Sequence, residues 1–442
     1  MKAYPRIFLT LSAIAALGVA MGGCDTRGAR RAGEDAHGQV VQSEKARDTA
    51  PAVEPAELEE LSSGNQAFAF DLYQALRGES DNLFYSPYSI SLALAMAYAG
   101  ARTTTETQMG ETLHFTLPQD WLHPAFNALD LELAGRGQGA AGTDDDGFRL
   151  NIANATWGQQ NYTFLTEFLD TLAVNYGSGL RLLDFEADPE GARGTINDWV
   201  SERTEGRIRD LIPEGFITDF TRLVLANAVY FDAAWESPFD EDATDDGVFH
   251  TLDGTDATVP MMRQREDLQY AAGDGYQAVE LPYDAGEDTS PELSMVIVVP
   301  DAGMWESFEG AFSAAVLDQI LDGFTEYEVG LSLPKFTYAS QFSLGRTLAA
   351  MGMPDAFCGG NVDFSGMTGS AELCISEVVH KAYVLVDERG TEAAAATAVV
   401  GGGTSHVPPP YVELTVDRPF LFVIRDIQTR TILFMGRVIR LP

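Results

Sequence analysis

Residues 376–410 read SEVVHKAYVLVDERGTEAAAATAVVGGGTSHVPPP, and this stretch decides how the rest of the chain is interpreted. Positions 378–386 alternate between apolar and polar side chains, which indicates a β-strand. The charged run DERG at 387–390 follows, and after it comes a tract of small residues that ends in three glycines at 401–403. By itself this tract predicts a short alanine-rich helix that Thr391 caps and the glycines end.

The same tract also suits a β-strand that is added to an existing sheet. A period of two places small, uncharged side chains on one face: Thr391, Ala393, Ala395 and Thr397. Glu392 points to the other face. No proline occurs in the tract before Pro408, so every residue can donate a backbone hydrogen bond to a ladder. Gly390 supplies a hinge. Composition therefore allows both a helix and a strand that slides between other strands without steric conflict.

The remaining patterns predict an α+β fold. Helical patterns occupy 65–77, 87–100, 194–211 (with a turn at Glu205-Gly206 and more helix after it) and 314–323. Strand patterns occupy 149–157, 222–231, 294–299, 327–337, 376–387 and two C-terminal stretches, 411–426 and 431–439. Helices dominate early and strands late. Because β and α segments do not alternate regularly, a doubly wound parallel sheet is not expected.

Charge and motifs exclude several classes of function. The 442 residues include 66 Asp+Glu against 28 Lys+Arg, a net charge of −38, so nucleic acid and other polyanions are not expected partners. Basic proteins or cations would be attracted, although adaptation to a salty medium explains the charge equally well. The GxGxxG match at 137–142 lacks a preceding strand and a following helix. The six histidines lack metal-ligand spacing, so no metal, cofactor or catalytic residue is expected.

The N-terminus resembles the targeting segment of a bacterial lipoprotein. Lys2 and Arg6 precede an apolar run at 7–21, which ends in MGGC with Cys24 as the residue that would be lipid-modified. We therefore expect a signal peptide at 1–23, a flexible tether at 24–59 and an extracytoplasmic, membrane-anchored protein in the periplasm or at the cell surface. An ordinary secreted protein is the alternative. In an oxidising compartment Cys358 and Cys374 could pair, although the sequence leaves their geometry open.

Several blocks in the expected order make the chain resemble a serpin over about residues 60–442. The segment ERGTEAAAAT at 388–397 is similar to the hinge of inhibitory serpins almost residue for residue. Further family blocks are NLFYSP at 82–87, NAVYF at 227–231 with Trp235, ELPY at 280–283, LPKF at 333–336, VDRPFLF at 416–422 and LFMGRV at 433–438.

The resemblance implies a single domain at 60–442 with three β-sheets, eight or nine helices and an exposed reactive-centre loop. Its hinge would comprise Glu388, Gly390, Thr391, Glu392, Ala393, Ala394, Ala395, Ala396 and Thr397. A protease would cut the loop at Thr404-Ser405, or alternatively at Gly403-Thr404. Ser86, Ser89, Asn227 and His380 would form a polar cluster beneath the opening sheet, and Trp235 would lie where the loop enters.

The implied function is irreversible inhibition of a protease by a monomer that is consumed rather than turned over. The small residues at the expected cut favour an elastase-like or subtilisin-like serine protease, and a cysteine protease is also possible. The alternative is a non-inhibitory binding protein of the same fold, which would be cleaved as an ordinary substrate.

Overall fold

A computed structural model describes residues 30–35, 37–142, 147–286, 289–391 and 409–442. Its α-helices are α1 Pro55–Leu76, α2 Pro87–Tyr98, α3 Thr103–Thr112, α4 Gln119–Leu133, α5 Thr166–Tyr176, α6 Pro189–Arg203, α7 Trp305–Ala311, α8 Ala314–Asp322, α9 Gly345–Met351 and α10 Ser365–Thr368. Within the described ranges no helix is both long and apolar enough to cross a membrane.

The strands are numbered β1 to β17 in chain order. They are β1 Arg30–Asp35, β2 Gly38–Ser43, β3 Leu83–Tyr85, β4 Arg149–Gln159, β5 Leu180–Leu183, β6 Leu223–Ala234, β7 Asp245–His250, β8 Asp256–Gly273, β9 Tyr276–Pro282, β10 Leu293–Pro300, β11 Thr325–Pro334, β12 Phe336–Ser343, β13 Glu377–Val386, β14 Gly390–Thr391, β15 Tyr411–Thr415, β16 Phe420–Asp426 and β17 Ile432–Val438.

Hydrogen bonds join these strands into two sheets. The first has the order β1-β2-β5-β4-β6-β14-β13-β12, and the second has the order β15-β11-β8-β9-β10-β16-β17-β3, with β7 also paired to β8. The predicted α+β class is confirmed. The expected three sheets become two networks because the 18-residue strand β8 pairs with β7 at its start, with β11 in its middle and with β9 at its end. The described residues form ten α-helical segments, where eight or nine were expected.

Helix α2 forms the layer between the two sheets. Ser86 caps it by accepting a hydrogen bond from the Ser89 backbone N–H, and Pro87 occupies its first turn, where a proline costs no helical hydrogen bond. All twelve of its residues are buried, as the all-round apolar pattern predicts. It packs against β4 and β6 of the first sheet and against β17 of the second. The helix therefore separates the two sheets and packs against both.

Strand β6 is buried along its whole length and has a core on each face. Alternate side chains such as Leu225, Val229 and Phe231 join the large core that also contains α2. The other side chains, including Ala226 and Ala228, join a smaller core beneath α6. A strand covered on both faces is typical of the centre of a sheet.

One helix that the sequence predicts is not present among the described residues. The expected second helix within 194–211 is absent, because α6 ends at Arg203 and the chain turns through Glu205 and Gly206, both with positive φ. The side chain of Asn197 bonds both the N–H and the C=O of Ile212, at 2.8 and 3.0 Å. These two bonds satisfy backbone groups of the returning chain without a helix, so the extended return is stable.

The predicted flexible tether at 24–59 is wrong over the described strand β1, Arg30–Asp35, and over residues 38–59. Strand β2 pairs with β5 on one side and with the edge strand β1 on the other, and α1 begins at Pro55 after a capping box made by Glu54 and Glu57. Between them, Arg47 donates to Asn127 and Asp130 of α4 at 2.7 and 2.6 Å. Edge pairing and side-chain anchors of this kind depend on distant residues, so polar composition did not indicate them.

The structure also pairs the two C-terminal cysteines. Cys358 and Cys374 form a disulfide, with their Cα atoms 5.1 Å apart. It lies where the chain enters β13, beside a bridge between Phe357 and Ile375. The sequence left open whether these two cysteines could pair, and the structure shows that they do.

Candidate functional site

The first sheet is forked between β6 and β13. These two strands pair in parallel from Val224 opposite Glu377 to Val229 opposite Ala382. At the other end of β6, the two residues of β14 lie between the strands, with Gly390 opposite Ala234 and Thr391 opposite Ala233. Thr391 also faces Val386 of β13. The residues after Thr391 therefore leave from a partly opened place in the middle of the sheet.

Thr391 is held in an aromatic pocket at the mouth of the fork. Its side chain is 2% exposed, and its hydroxyl lies 2.8 Å from the hydroxyl of Tyr283. Burial raises the pKa of Tyr283, so this phenol stays protonated and able to donate. The Tyr283 ring stacks on Trp235 with 4.7 Å between ring centroids. Trp235 in turn donates from Nε1 to the Asp387 carbonyl at 3.0 Å, so it fixes the chain that leads into the hinge.

Ion pairs fix the turn that precedes the hinge. Glu388 is buried and accepts from Lys335 Nζ at 2.6 Å and from the Thr244 hydroxyl at 2.7 Å. Burial by itself would raise the pKa of Glu388, but the pKa is lowered overall, because these two hydrogen bonds act together with a backbone hydrogen bond and the positive charge of Lys335. Arg389 pairs with Glu241 at 2.8 Å on the exposed side. The hinge is thus attached to the loop that follows β6 and to the chain between β11 and β12.

The four residues predicted to form a polar cluster lie together at the closed part of the fork. His380 Nε2 accepts from the Ser86 backbone N–H at 3.1 Å, so its proton is on Nδ1, which donates to Asn227 Oδ1. This side-chain contact spans the seam between β6 and β13. Burial lowers the pKa of His380 to about 3, which keeps the ring neutral.

Asn154 of β4 is a fifth member that the sequence did not reveal. The Asn227 amide donates to Ser89 Oγ at 2.6 Å and also to Asn154 Oδ1. The amide of Asn154 donates to the Ser89 carbonyl at 3.1 Å. Asn154 faces Asn227 directly across the antiparallel pair of β4 and β6. An asparagine within the strand predicted at 149–157 was the available signal, but only the strand register identifies its partner.

The remaining predicted site residues lie outside the described residues. They are Glu392, Ala393, Ala394, Ala395, Ala396 and Thr397 of the hinge, Gly403, Thr404 and Ser405 at the expected cut, and Cys24. The described chain resumes at 409 and enters β15, which pairs in parallel with β11 of the second sheet. The loop at 392–408 therefore connects the fork of the first sheet to an outer strand of the second. Among the described residues, no group of three or more His, Cys, Asp or Glu is placed to hold a metal ion.

Comparison with known proteins agrees with this geometry. The family model of the serpins, described as serine protease inhibitors, matches residues 63–441. The chain therefore belongs to the serpin family, a family of protease inhibitors and not of enzymes.

Individual relatives cover most of the chain. A serpin-like protein of Thermococcus kodakarensis is 40% identical over 375 residues, which are 84% of each chain. The leukocyte elastase inhibitor of Homo sapiens is 38% identical over 86% of this chain and 99% of its own length. The native thermophilic serpin tengpin is a similar solved structure, with a TM-score of 0.78 and 27% identity over 90% of this chain and 97% of its own. Human thyroxine-binding globulin gives a TM-score of 0.76 and 32% identity, covering 87% of this chain and 99% of its own.

Proposed function

We propose that the protein irreversibly inhibits a serine protease outside the cytoplasm and is consumed in the process. The loop at 392–408 is the segment that the protease recognises and cleaves. The protease serine attacks the carbonyl carbon of Thr404, the amine of Ser405 leaves, and an ester joins the enzyme to Thr404. The freed loop then enters the fork between β6 and β13 before water can hydrolyse the ester. The observation that carries this proposal is that Gly390 and Thr391 already occupy the mouth of the fork.

The strand register predicts where each inserted residue goes. Because Thr391 lies opposite Ala233 on β6, each further loop residue meets the preceding residue of β6. Thr397 then faces Asn227 on one side and His380 on the other, and it replaces the contact that these two side chains now make. Gly401 faces Leu223, the first residue of β6. The three glycines therefore begin where the sheet ends, so most of their flexibility need not be lost on insertion.

Insertion releases enough free energy to distort a captured enzyme. Ten residues, 392–401, gain two neighbouring strands, while the short parallel pairing of β6 with β13 is lost. A net gain of roughly ten hydrogen bonds at about 1 kcal/mol each is on the order of 10 kcal/mol. The stability of a typical domain is about 5–15 kcal/mol, so the gain is comparable to the stability of the protease itself.

The target is proposed to be an elastase-like or subtilisin-like protease. Thr404-Ser405, or alternatively Gly403-Thr404, offers only small side chains and no Lys or Arg for a trypsin-like pocket. The 38% identical human relative is a leukocyte elastase inhibitor, which supports the same target class.

A covalent-complex assay tests this function. The chain that begins at Cys24 is incubated with pancreatic elastase or with subtilisin, and the products are separated on a denaturing gel. We expect a band at the summed mass, together with a released C-terminal fragment whose first residue identifies the bond cut. A protease whose serine has been blocked beforehand is the control and must give no such band. Clean cleavage with full remaining protease activity would instead establish the non-inhibitory alternative.

We further propose that Cys24 carries a lipid anchor. Cys24 precedes β1 by six residues, and an extended chain spans at most about 3.5 Å per residue, so the anchor would hold the domain within roughly 20 Å of the membrane. Expression in a bacterial host with labelled palmitate tests the anchor. The membrane fraction should contain labelled protein, and Cys24→Ser should remove both the label and the membrane association. Label that persists in the Cys24→Ser variant would contradict the assignment.

A further inference from the structure

The turn that leads into β6, residues 213–221, carries two aromatic side chains in solvent. Phe220 is 76% exposed and Phe216 is 45% exposed. They are two of the seven large apolar side chains that are exposed among the described residues, and they lie four positions apart in the sequence. Apolar side chains scattered singly over a surface are ordinary, but two rings in one turn form a small apolar surface. We call residues 213–221 the aromatic turn.

Hydrogen bonds and buried neighbours fix the aromatic turn. The Thr218 backbone N–H donates to Thr221 Oγ1 at 3.0 Å, and the Thr221 N–H donates back to the Thr218 carbonyl at 3.0 Å. Ile217, the neighbour of Phe216, is 3% exposed and belongs to the smaller core beneath α6. Thr221, the neighbour of Phe220, is 4% exposed. The residues beside the two rings therefore hold the turn against the body of the protein while the rings stay in solvent.

The aromatic turn lies at the opposite end of the first sheet from the mouth of the fork. Strand β6 runs from Leu223 to Ala234, and twelve residues of strand span about 36 Å. Its last residues lie beside Gly390 and Thr391, at the mouth of the fork. Phe220 precedes Leu223 by three residues, so its Cα lies within about 11 Å of the first residue of β6. A protease that first meets the loop at 392–408 therefore begins far from the turn.

Insertion of the loop would bring a captured protease to the aromatic turn. The strand register puts Gly401 opposite Leu223, and the ester lies two or three residues further on, at Gly403 or Thr404. Because the inserted strand runs antiparallel to β6, these residues continue past the same end of the sheet at which the turn enters β6. Three residues span at most about 11 Å, whereas a protease domain of about 250 residues has a radius of gyration of about 18 Å. The enzyme must therefore lie against this end of the sheet.

We propose that Phe216 and Phe220 contact the captured protease and prolong its capture. This contact rests on the proposed inhibition, because the protease meets the turn only after the loop has inserted. A distorted enzyme exposes apolar side chains that its native fold would bury, which suits an aromatic partner. Burial of the two rings against that surface favours the docked, distorted enzyme over the refolded enzyme that would hydrolyse the ester.

The test compares the lifetimes of covalent complexes. The chain that begins at Cys24 and its Phe216→Ser/Phe220→Ser variant are each trapped with pancreatic elastase or with subtilisin, and the return of protease activity is followed. The exposed fractions of the two rings together amount to roughly one phenylalanine, whose burial changes an equilibrium constant about 10- to 100-fold. The half-life of the variant's complex should shorten by about that factor. The rate of complex formation should stay as in the parent, because the first encounter takes place at the other end of β6.

Two further variants serve as controls. Phe216→Leu/Phe220→Leu keeps apolar side chains in the turn and should retain most of the half-life. Val248→Ser removes an apolar side chain that is 48% exposed on β7. Val248 follows Thr244, which contacts Glu388 beside the hinge, by four residues, so its variant should decay as the parent does. All these side chains are exposed, so the variants should fold, and their unfolding temperatures check this.

Hydrogen exchange supplies a second measurement on the parent. Amides of the aromatic turn should exchange more slowly in the covalent complex than in the protein recovered after the complex has decayed, because both have an inserted loop and only the first carries a protease. Equal exchange in these two states would overturn the contact and leave the inhibition intact. Equal half-lives for the parent and Phe216→Ser/Phe220→Ser, or a Val248→Ser complex that decays as fast as theirs, would do the same. Absence of any covalent complex with the parent would overturn both proposals.

Discussion

Replacing Thr391 with arginine should convert the inhibitor into a substrate. Thr391 is 2% exposed and shares a 2.8 Å contact with the buried Tyr283 hydroxyl at the mouth of the fork. An arginine at this position can stay in solvent only if the hinge withdraws from between β6 and β13. The variant should therefore still fold, but its loop must bury a guanidinium before insertion can proceed.

The size of the effect follows from that burial. Removing an ion from water without a partner costs several kcal/mol, and leaving the Tyr283 hydroxyl unpaired adds about 1–3 kcal/mol. If about 2–3 kcal/mol of this total raises the barrier to insertion, insertion slows roughly 30- to 150-fold. Hydrolysis of the acyl-enzyme then occurs first, and the protease is released after each cleavage.

The assay is a titration of protease activity against inhibitor. The parent should require close to one inhibitor molecule per protease, whereas Thr391→Arg should require more than about ten, with a cleaved product and no covalent band. Thr391→Ser keeps the hydroxyl and the small volume, so it should behave as the parent does. The reasoning is refuted if Thr391→Arg is folded and still traps protease in a one-to-one covalent complex.

Three further predictions concern the native state. Burial lowers the pKa of His380 to about 3, so between about pH 6.5 and 3 the unfolded chain binds a proton that the folded state does not. Stability should fall by up to about 1.4 kcal/mol per pH unit as the pH drops through this window. A plot of the urea midpoint against pH should therefore be less steep for His380→Gln than for the parent, and equal slopes would contradict the prediction. Lys335→Ala should lower stability by about 2 kcal/mol because the buried Glu388 loses its ammonium partner. Adding Glu388→Gln should recover part of that loss, and a double variant no more stable than the single one would argue against the pair. Reduction of the disulfide between Cys358 and Cys374, which are separated by 16 residues, should cost about 3 kcal/mol, and identical midpoints with and without reductant would contradict this.

Local signals were sufficient for many elements of the fold. The helical pattern at 87–100 predicted α2, and the strand pattern at 149–157 predicted β4. These predictions succeed because capping and face alternation depend on neighbours within one or two turns of chain. The helix expected after Glu205 was wrong because Asn197 supplies backbone partners to Ile212, a contact that the local pattern does not contain.

The hinge segment shows most clearly which properties follow from the local sequence and which depend on the tertiary structure. Its small residues and single glycine determined, from sequence alone, that the tract can serve as an inserted strand, because side-chain volume and backbone freedom are local properties. The tertiary structure decided that Thr391 lies between Ala233 and Val386, that Asn154 completes the cluster with Asn227 and His380, and that residues 38–43 extend the first sheet. Each of these contacts joins residues far apart in the chain. Their partners are set by strand register and packing, which no single segment encodes.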